Sequence, residues 1–363
     1  MYRAAATGNR GPPDLAFCNL VVFAVPAFEI WDDIAVDGKL ILLDGTSVPV
    51  NAANVKAALA GGNLLWLDIK PADPEGIALL QDVFQMHPLA IEAVTEFGQR
   101  PRVEDFGNAV YLVSYGVAGQ GKDHLSEVHT FIAKDYLVTI RKDHCHELDR
   151  LWDRLGHPGA LHAGTNRPLR LILLHHILDS LIDSFFAPLS AFDDHIDELQ
   201  EKIFAKPSND QLAELFTMQR WLVTVRKVVS PQRDMMAALV AGMVELPGMT
   251  ADSDPYLRDL YDHTIRISDL IDSYRDLLSN AMSAYLSMVS NNLNVVMKQL
   301  AIIATIFLPL SFLTGFFGQN FAWLVGHLGG VPTFLILGLG TELLAVAGLY
   351  VLFRRRGWIG TGT

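Results

Sequence analysis

Residues 300–317, LAIIATIFLPLSFLTGFF, form a run of 18 residues without a charged side chain. At about 1.5 Å of rise per residue, a helix of this length approaches the roughly 30 Å thickness of the hydrocarbon core of a bilayer. A second apolar run, residues 331–353, contains one charged residue, Glu342. Both runs are long enough to cross a membrane, so the sequence predicts two C-terminal transmembrane helices.

The charges that flank these runs predict their orientation. Lys298 precedes the first run, and Arg354, Arg355 and Arg356 follow the second, whereas the loop at residues 318–330 contains no Lys or Arg. Positive residues favour the cytoplasmic side, so both chain ends are expected in the cytoplasm and the short loop outside. No secretory signal is recognised at the N-terminus. We therefore expect a multi-pass protein of the inner membrane with about 290 residues inside the cell.

The composition limits the partners and the chemistry. The 363 residues include 28 Lys and Arg against 40 Asp and Glu, a formal net charge of −12, which argues against a nucleic-acid partner. Two cysteines are too few for a disulfide framework and indicate a reducing compartment. Residues 116–122, GVAGQGK, fit most of a phosphate-binding loop, but Asp123 follows and a strand-like run comes next, so a hairpin loop is expected. No enzymatic activity is predicted.

The first part of the chain mixes strands with helices and predicts a cytoplasmic α/β domain at residues 1–145. The β-rich runs lie at residues 20–25, 64–69, 109–115, 127–133 and 136–141. Two helices are expected at residues 74–84 and 88–97, because each opens with a proline, which the first turn of a helix tolerates.

Helical periodicity then dominates and predicts a helical stalk region at residues 146–290. Residues 169–204 and 210–244 are expected to form an antiparallel helix pair, separated by the Pro-Ser-Asn turn at 207–209. His175 and His176 lie in the apolar part of this pair and are expected to be core or interface residues.

The last predicted helix is the longest. Between Pro255 and Pro309 the chain contains no other proline and no glycine, so one helix can run from the cytoplasm into the first span. Residues 291–363 are therefore assigned to a two-span pore domain. The expected fold is an α+β membrane protein in which a long stalk helix continues into the first transmembrane helix.

This helix carries a stripe of mostly small or polar residues at spacings of three and four, and the same face continues into the span. The stripe consists of Asn280, Ser283, Ser287, Asn291, Asn294, Met297, Ala301, Leu308, Ser311 and Gly315. Two transmembrane helices enclose no channel of their own. The stripe therefore either lines a pore shared by several subunits or forms the polar interface of an ordinary helix dimer.

Several motifs resemble the CorA family of magnesium and cobalt channels. They are NVVMKQL at 294–300, FLPLS at 307–311, GFFGQNF at 315–321, PYLRDLYDH at 255–263, HPLAIE at 87–92 and QRPRVE at 99–104. The motifs span most of the chain in the family's order. The resemblance implies a homopentamer shaped like a funnel, with an α/β cytoplasmic domain and a stalk helix that lines the pore.

The resemblance also implies a function and its residues. The chain would conduct Mg²⁺, and also Co²⁺ or Ni²⁺, through a selectivity filter of Gly318, Gln319 and Asn320. Its ring of amide oxygens would hold the waters of a cation that dehydrates reluctantly. The pore lining and gate would consist of Asn294, Met297, Leu300, Leu308, Ser311 and Gly315, with an apolar constriction that gates by dewetting.

The driving force and the regulation follow from the same resemblance. A cell interior about 100 mV negative favours entry of a divalent cation by about 4.6 kcal/mol, at about 2.3 kcal/mol per charge. Cytoplasmic Mg²⁺ would close the channel by binding to Asp259, Asp262 and Glu92 between subunits and stabilising the closed state. The expected partners are further copies of the chain, the bilayer and hydrated divalent cations.

Four residues depart from the family pattern and keep two rivals open. Gln319 stands where the family has Met, Ala93 and Ser283 stand at positions that are often acidic, and Glu342 interrupts the second span. Ala93 is expected to weaken the metal-sensing site next to Glu92. One rival is a ZntB-like zinc transporter coupled to protons. The other is a membrane-tethered metal sensor that conducts no ions.

Overall fold

The computed structural model describes residues 38–42, 46–62, 64–69, 74–118, 125–142, 145–155, 169–319, 322–327 and 330–358. The strand predicted at residues 20–25 lies outside them.

The N-terminal half of the described chain contains a seven-stranded sheet in the order β2-β1-β3-β7-β6-β5-β4. Its strands are β1 (Gly38–Leu42), β2 (Ser47–Val48), β3 (Leu65–Ile69), β4 (Arg102–Asp105), β5 (Val110–Val117), β6 (Leu125–Ile132) and β7 (Tyr136–Arg141). The β3–β7 pair is parallel and the other pairs are antiparallel. Four of the predicted strands are thus confirmed, and β5 pairs with β6 as the hairpin predicted in place of a phosphate-binding loop.

Five helices pack around this sheet. They are α1 (Ala52–Ala60), α2 (Pro74–Asp82), α3 (Pro88–Glu96), α4 (His146–Leu155) and α5 (Leu169–Asp183). The two helices predicted to open with proline are α2 and α3, and the His87 side chain caps α3 by accepting from the Leu89 N–H at 3.3 Å. Trp152 of α4 packs on Trp66 of β3 with ring centroids 4.6 Å apart, which joins α4 to the sheet.

The helix predicted at residues 169–204 is interrupted: α5 ends at Asp183 and α6 (Phe186–Ala205) begins after it. At the break, the Ser184 hydroxyl donates to the Leu181 carbonyl at 2.5 Å and accepts from the Val117 N–H at 2.7 Å. Gly116 makes this approach possible, since a Cβ at that position would lie 2.9 Å from Leu181 Cδ2. The helix therefore breaks where it meets strand β5.

A second connection to strand β5 is made by the side-chain amide of Gln232. β4 pairs with residues 110–113 of β5, so the backbone of Tyr115 has no strand partner on that side. Gln232 of α7 (Asn209–Val240), which is 2% exposed, supplies one: its Oε1 accepts from the Tyr115 N–H at 2.7 Å and its Nε2 donates to the Tyr115 carbonyl at 3.2 Å. Buried backbone groups require such partners, so Gln232 holds α7 on the sheet.

The predicted long helix is present as α8 (Asp254–Phe317), 64 residues that follow a 3₁₀ turn at Ala251–Ser253. Its N-terminal part shares a core with α5, α6 and α7, and Leu260, Ile267 and Ile271 are buried there. Beyond Phe317 come α9 (Ala322–His327), α10 (Val331–Thr333), a π-helical turn (Phe334–Leu339) and α11 (Gly340–Arg355). α11 packs back against α8, and Lys298 Nζ donates to the Gly357 carbonyl at 3.3 Å.

Three helical segments among the described residues are long and apolar enough to span a membrane: Leu169–Ala205, Asp254–Phe317 and Val331–Arg355. In the first, 44% of the most apolar window is buried inside the protein, where it packs against the sheet and α8. The corresponding windows of the other two are 0% buried, so their apolar surface is left for lipid or for other subunits. The two segments with unburied apolar windows are those that contain the two predicted spans, residues 300–317 and 331–353.

A buried ion pair beneath the sheet gives the first testable prediction. Arg141 is 2% exposed, and its Nη2 lies 2.9 Å from Asp68 Oδ2. Asp68→Ala leaves this guanidinium only its pair with the partly exposed Asp149, whose Oδ1 lies 2.6 Å from Nη2, so we expect the free energy of unfolding to fall by about 3 kcal/mol, the lower end for a broken buried pair. Denaturant titration of the full-length protein in detergent measures this loss.

Glu147→Ala is the control. It removes the exposed partner of Arg150 at 2.9 Å, and the expected loss of stability is below about 1 kcal/mol. Equal losses in the two variants would contradict the prediction.

Candidate functional site

The polar stripe of α8 lies within the surface that the rest of the described chain leaves open. All ten of its residues, from Asn280 to Gly315, are exposed. On the opposite side, Leu278, Ala281 and Tyr285 are buried in the helical core. Even large apolar residues at the stripe are exposed, to 62% for Met297 and 77% for Leu308. An apolar surface of this kind is typical of a contact between subunits or with lipid.

Within the membrane part, α8 has a second, partly covered face. The half-buried residues recur at helical spacing and are Ile302, Ile306, Pro309, Leu310, Leu313 and Phe317. Because α11 is the return helix packed against α8, this face belongs to the hairpin inside one chain. The stripe with Asn294, Met297 and Ser311 lies elsewhere on the helix and remains available to further copies.

The predicted selectivity filter begins at the end of α8. The helix ends at Gly318, whose N–H donates to the Thr314 carbonyl at 2.9 Å, and Gln319 is exposed beyond it. A Cβ on Gly318 would lie 3.0 Å from that same carbonyl oxygen, so glycine suits the tight end of the helix. Asn320, the third residue of the predicted filter, lies outside the described residues.

A second cluster of functional groups joins α5 to α8 in the cytoplasmic part. We name it the α5–α8 centre; it consists of His175, Asp179, Asp183, Asp259 and His263. Successive residues of the centre are four apart on α5 and also four apart on α8, so each helix presents them on one face. Two overlapping groups of three, His175–Asp179–Asp259 and Asp179–Asp183–His263, have their ligand atoms within 4.8 Å of one another.

Hydrogen bonds and ion pairs hold the α5–α8 centre together. His175 Nε2 lies 3.2 Å from Asp259 Oδ2, and His263 Nδ1 lies 2.9 Å from Asp183 Oδ1. His263 also approaches Asp179 at 3.6 Å, and through Nε2 it approaches Asp259 at 3.9 Å. Edge-to-face ring contacts of His175 with Tyr256 and of His263 with Phe186 fix the imidazole planes.

The electrostatics of the α5–α8 centre favour a bound cation. Burial, and then the neighbouring carboxylate of Asp179, raise the pKa of Asp183 above its ordinary value, and His263 offsets this in part. Among the described residues, the ion pairs of Asp179, Asp183 and Asp259 are with histidine only. Three acids beside two imidazoles leave excess negative charge, which a divalent cation would cancel. Imidazole nitrogens with carboxylate oxygens suit Zn²⁺, Co²⁺ or Ni²⁺ better than Mg²⁺.

The structure places the predicted metal ligands in different surroundings. Asp259 lies in the α5–α8 centre, but Glu92 and Asp262 belong to neither of its groups of ligands. Asp262 lines a shallow groove along α8 beside Arg266 and Asp269, and Glu92 is exposed on α3. Ala93 is 4% exposed in the core, so its side chain points away from any surface site. This position belongs to the packing of α3, and the weakening of the metal-sensing site next to Glu92 remains a prediction.

His175 is expected to be a core or interface residue, and it lies at the interface of α5 and α8, where its Nε2 contacts Asp259 at 3.2 Å and its side chain is 13% exposed. His176 is half-buried, and burial lowers its pKa, as expected for a neutral interior histidine. The signal that was missed is the spacing His175, Asp179, Asp183 on one helix and Asp259, His263 on another. Sequence reasoning did not pair these two helices.

Comparison with known proteins agrees with this architecture. Residues 61–355 match the family model described as CorA-like Mg²⁺ transporter protein. The cobalt/magnesium transport protein CorA of Thermotoga maritima is 33% identical over 285 residues, which cover 77% of this chain and 78% of that protein. The zinc transport protein ZntB of Yersinia enterocolitica is 24% identical over 275 residues, 74% of this chain and 78% of that protein. The complete structure of the CorA magnesium transporter from Methanocaldococcus jannaschii superposes with a TM-score of 0.75 at 22% identity, covering 90% of this chain and all of that one.

Proposed function

The chain belongs to the CorA-like Mg²⁺ transporter family, and from that premise we propose that it is a channel for hydrated Mg²⁺ in the inner membrane. Co²⁺ and Ni²⁺ are further cargo. The family is one of divalent-cation transporters, and of the three described segments long and apolar enough to span a membrane, two leave their apolar windows unburied.

The open stripe of α8 carries this proposal. Hydroxyl, amide and backbone oxygens recur along it from Asn280 to Gly315, and nothing in the described chain covers it. Two helices enclose no path, so several copies contribute one stripe each to a common axis, and the family resemblance favours five in a funnel. Asn294 then receives the ion on the cytoplasmic side, while Met297 and Leu300 form an apolar constriction that closes by dewetting.

The outer entrance is assigned to Gly318, Gln319 and Asn320. A ring of Asn320 amide oxygens binds the water shell of Mg²⁺ without the tight hold of carboxylates, which suits a cation that must leave again. Gln319 is exposed, and we assign its side chain to the loop and not to a second amide ring. The membrane potential, negative inside, drives entry.

Regulation is assigned to the cytoplasmic metal sites. A metal bound in the α5–α8 centre fixes α5 against α8, and α8 continues into the pore, so occupancy favours one arrangement of the stalk. Glu92 and Asp262 are exposed and remain available to bind Mg²⁺ between neighbouring copies. High internal metal then closes the channel.

The α5–α8 centre also favours a second candidate, a ZntB-like zinc transporter coupled to protons. Its two imidazoles, His175 and His263, are ligands that Zn²⁺ prefers and Mg²⁺ avoids. In this alternative Zn²⁺ is the cargo as well as the regulator. A non-conducting membrane-tethered sensor is the third possibility.

Uptake of metal into proteoliposomes separates these functions. We expect Mg²⁺ uptake in the wild type to increase by about ten-fold for each 30 mV of inside-negative potential at equilibrium, since each charge gains about 2.3 kcal/mol per 100 mV. A pH gradient alone is expected to have no effect. Zn²⁺ uptake that requires the pH gradient would favour the zinc transporter. If no metal is taken up, the result would favour the non-conducting sensor.

A further inference from the structure

The turn that follows α3 has a backbone conformation that is normal only for glycine. Phe97, the residue that caps the C-terminal end of α3, has φ 51 and ψ 179, and Gly98 has φ 78. The angles of Phe97 are close to a region that is occupied essentially by glycine alone, so this residue is strained and stays there only where its surroundings hold it. Strain of this kind clusters at functional sites. We name residues 97–99 the α3 turn.

A buried carboxylate holds the α3 turn. Glu127 of β6 accepts from the Gly98 N–H at 2.5 Å and from the Gln99 N–H at 2.8 Å. Tyr115 Oη donates to the Gln99 carbonyl at 2.7 Å. Burial alone would raise the pKa of Glu127, but His129 and the two backbone N–H groups outweigh it and keep this pKa below its ordinary value. Glu127 is therefore a carboxylate at neutral pH, and a hydrogen bond to a charged group is worth about ten-fold or more in an equilibrium constant.

Two side chains of the same sheet keep this carboxylate in place. His129 Nε2 lies 2.9 Å from Glu127 Oε1, and His129 Nδ1 lies 2.5 Å from Tyr111 Oη. The Phe97 ring packs edge-to-face on the His129 imidazole, with ring centroids 5.0 Å apart. Glu127, His129 and Tyr111 are all buried. The α3 turn is therefore joined to the sheet through its N–H groups, through one carbonyl and through the Phe97 ring.

The α3 turn determines how α3 ends, and α3 carries Glu92. The helix has nine residues, and a helix of this length is not stable without tertiary contacts. Its inner face is buried, with Ala90 and Val94 in the core, whereas Glu92 is exposed. Glu92 lies five residues before Phe97, which is about 7.5 Å along the helix axis. A change in the α3 turn therefore acts on the part of the helix that holds the Glu92 carboxylate.

We propose, on the basis of the regulation assigned above, that Glu127 is a positioning residue for Glu92. It holds the α3 turn in its strained form and thereby keeps Glu92 where Mg²⁺ binds between neighbouring copies. Without the two bonds from Glu127, Phe97 relaxes to a negative φ and the end of α3 changes. Binding of the regulatory Mg²⁺ then weakens, while the pore residues, which lie on α8, are unaffected.

Hydrogen–deuterium exchange of the full-length protein in detergent tests whether Glu127 holds the turn. Glu127→Gln keeps the shape but offers one acceptor oxygen where the wild type offers two, so we expect the amides of residues 91–99 to exchange at least about ten-fold faster. Gly98→Ala is a second variant that leaves the buried carboxylate intact: its Cβ meets open space, and only the φ of 78 opposes it. Gly62→Ala, which follows α1, has the same open space and a φ of 68. It is the matched control, for which exchange in α3 is expected to stay at the wild-type rate.

Magnesium currents across excised membrane patches test the consequence for closing. With graded Mg²⁺ at the cytoplasmic face, we expect Glu127→Gln and Gly98→Ala to need at least about ten-fold more Mg²⁺ for half-closure. The current without cytoplasmic Mg²⁺ is expected to equal that of the wild type, whereas a protein that is merely destabilised would lose current at every Mg²⁺ concentration. Half-closure at the wild-type concentration in both variants would overturn the proposal, and so would unchanged exchange in α3.

Glu92→Ala separates this proposal from the regulation on which it rests. If loss of the Glu92 carboxylate raises the Mg²⁺ concentration for half-closure and the two turn variants do not, the regulation stands and Glu127 has no positioning role. If Glu92→Ala closes at the wild-type Mg²⁺ concentration, the regulation itself is wrong and the positioning role is lost with it.

Discussion

Replacing Asn320 by alanine is expected to abolish most of the metal uptake. By the family resemblance, each copy of Asn320 contributes one amide oxygen to the ring at the outer entrance. A hydrogen bond to a charged group is worth about 1.5–3 kcal/mol, and each 1.4 kcal/mol corresponds to a factor of ten. Loss of the ring is therefore expected to reduce initial uptake of Mg²⁺ by at least about ten-fold. Uptake by vesicles loaded with a fluorescent indicator measures this.

Gln319→Ala is the matched control. Gln319 is exposed next to the end of α8, where its N–H donates to the Phe316 carbonyl at 3.3 Å, and alanine preserves this backbone bond. Because the Gln319 side chain is expected to face the loop and not the ion, we expect this variant to keep most of the uptake; a loss as large as that of Asn320→Ala would instead indicate a second amide ring at Gln319. If Asn320→Ala transports Mg²⁺ like the wild type, the amide ring is not the entrance.

Removing both histidines of the α5–α8 centre is expected to change which metal controls the channel. His175→Ala with His263→Ala leaves three carboxylates, an oxygen-only set that suits hard cations. Since even an outer-shell partner of a metal is worth roughly ten-fold in affinity, we expect the loss of both ligands to weaken Zn²⁺ binding at least about 100-fold. Calorimetric titration of the purified full-length protein measures this affinity, and inhibition of Mg²⁺ uptake by internal Zn²⁺ measures its consequence.

His195→Ala is a suitable control for this double variant. His195 lies 2.6 Å from Glu214 and joins α6 to α7 as His263 joins α8 to α5, but it belongs to neither group of metal ligands. Zn²⁺ affinity is expected to stay at the wild-type value. Unchanged Zn²⁺ binding in the double histidine variant would show that the α5–α8 centre is not the metal site.

The features that were predictable from the sequence depend on local patterns. The apolar runs, the absence of helix breakers from Pro255 to Pro309 and the β-rich run at residues 136–141 each contain their own signal, and α8, α11 and β7 follow them closely. The break between α5 and α6 has no such signal. It results from the bond of Ser184 to the Val117 N–H, which lies 67 residues away in sequence.

The α5–α8 centre escaped the sequence for the same reason. His175 and Asp259 are 84 residues apart and His263 and Asp183 are 80 apart, so only the packing of α5 on α8 brings them together. His175 also lies in an apolar helix, where a core role is the ordinary interpretation. Ala93 is a different case: its motif position predicts a weaker metal site, and the structure adds that the residue is buried on the inner face of α3.

The accessibility of cysteines along α8 tests the central claim, that the stripe faces water between copies of the chain. Single cysteines replace Asn294 and Ser311 on the stripe, and Ile306 and Leu313 on the face towards α11, in a protein without its native cysteines. A charged, water-soluble thiol reagent requires the thiolate, which forms in water and not in lipid or in a packed interface. We predict that the two stripe positions react at least about ten-fold faster than the other two and that their modification blocks uptake. Equal reactivity at all four positions, or faster reaction at Ile306 and Leu313, would contradict the account.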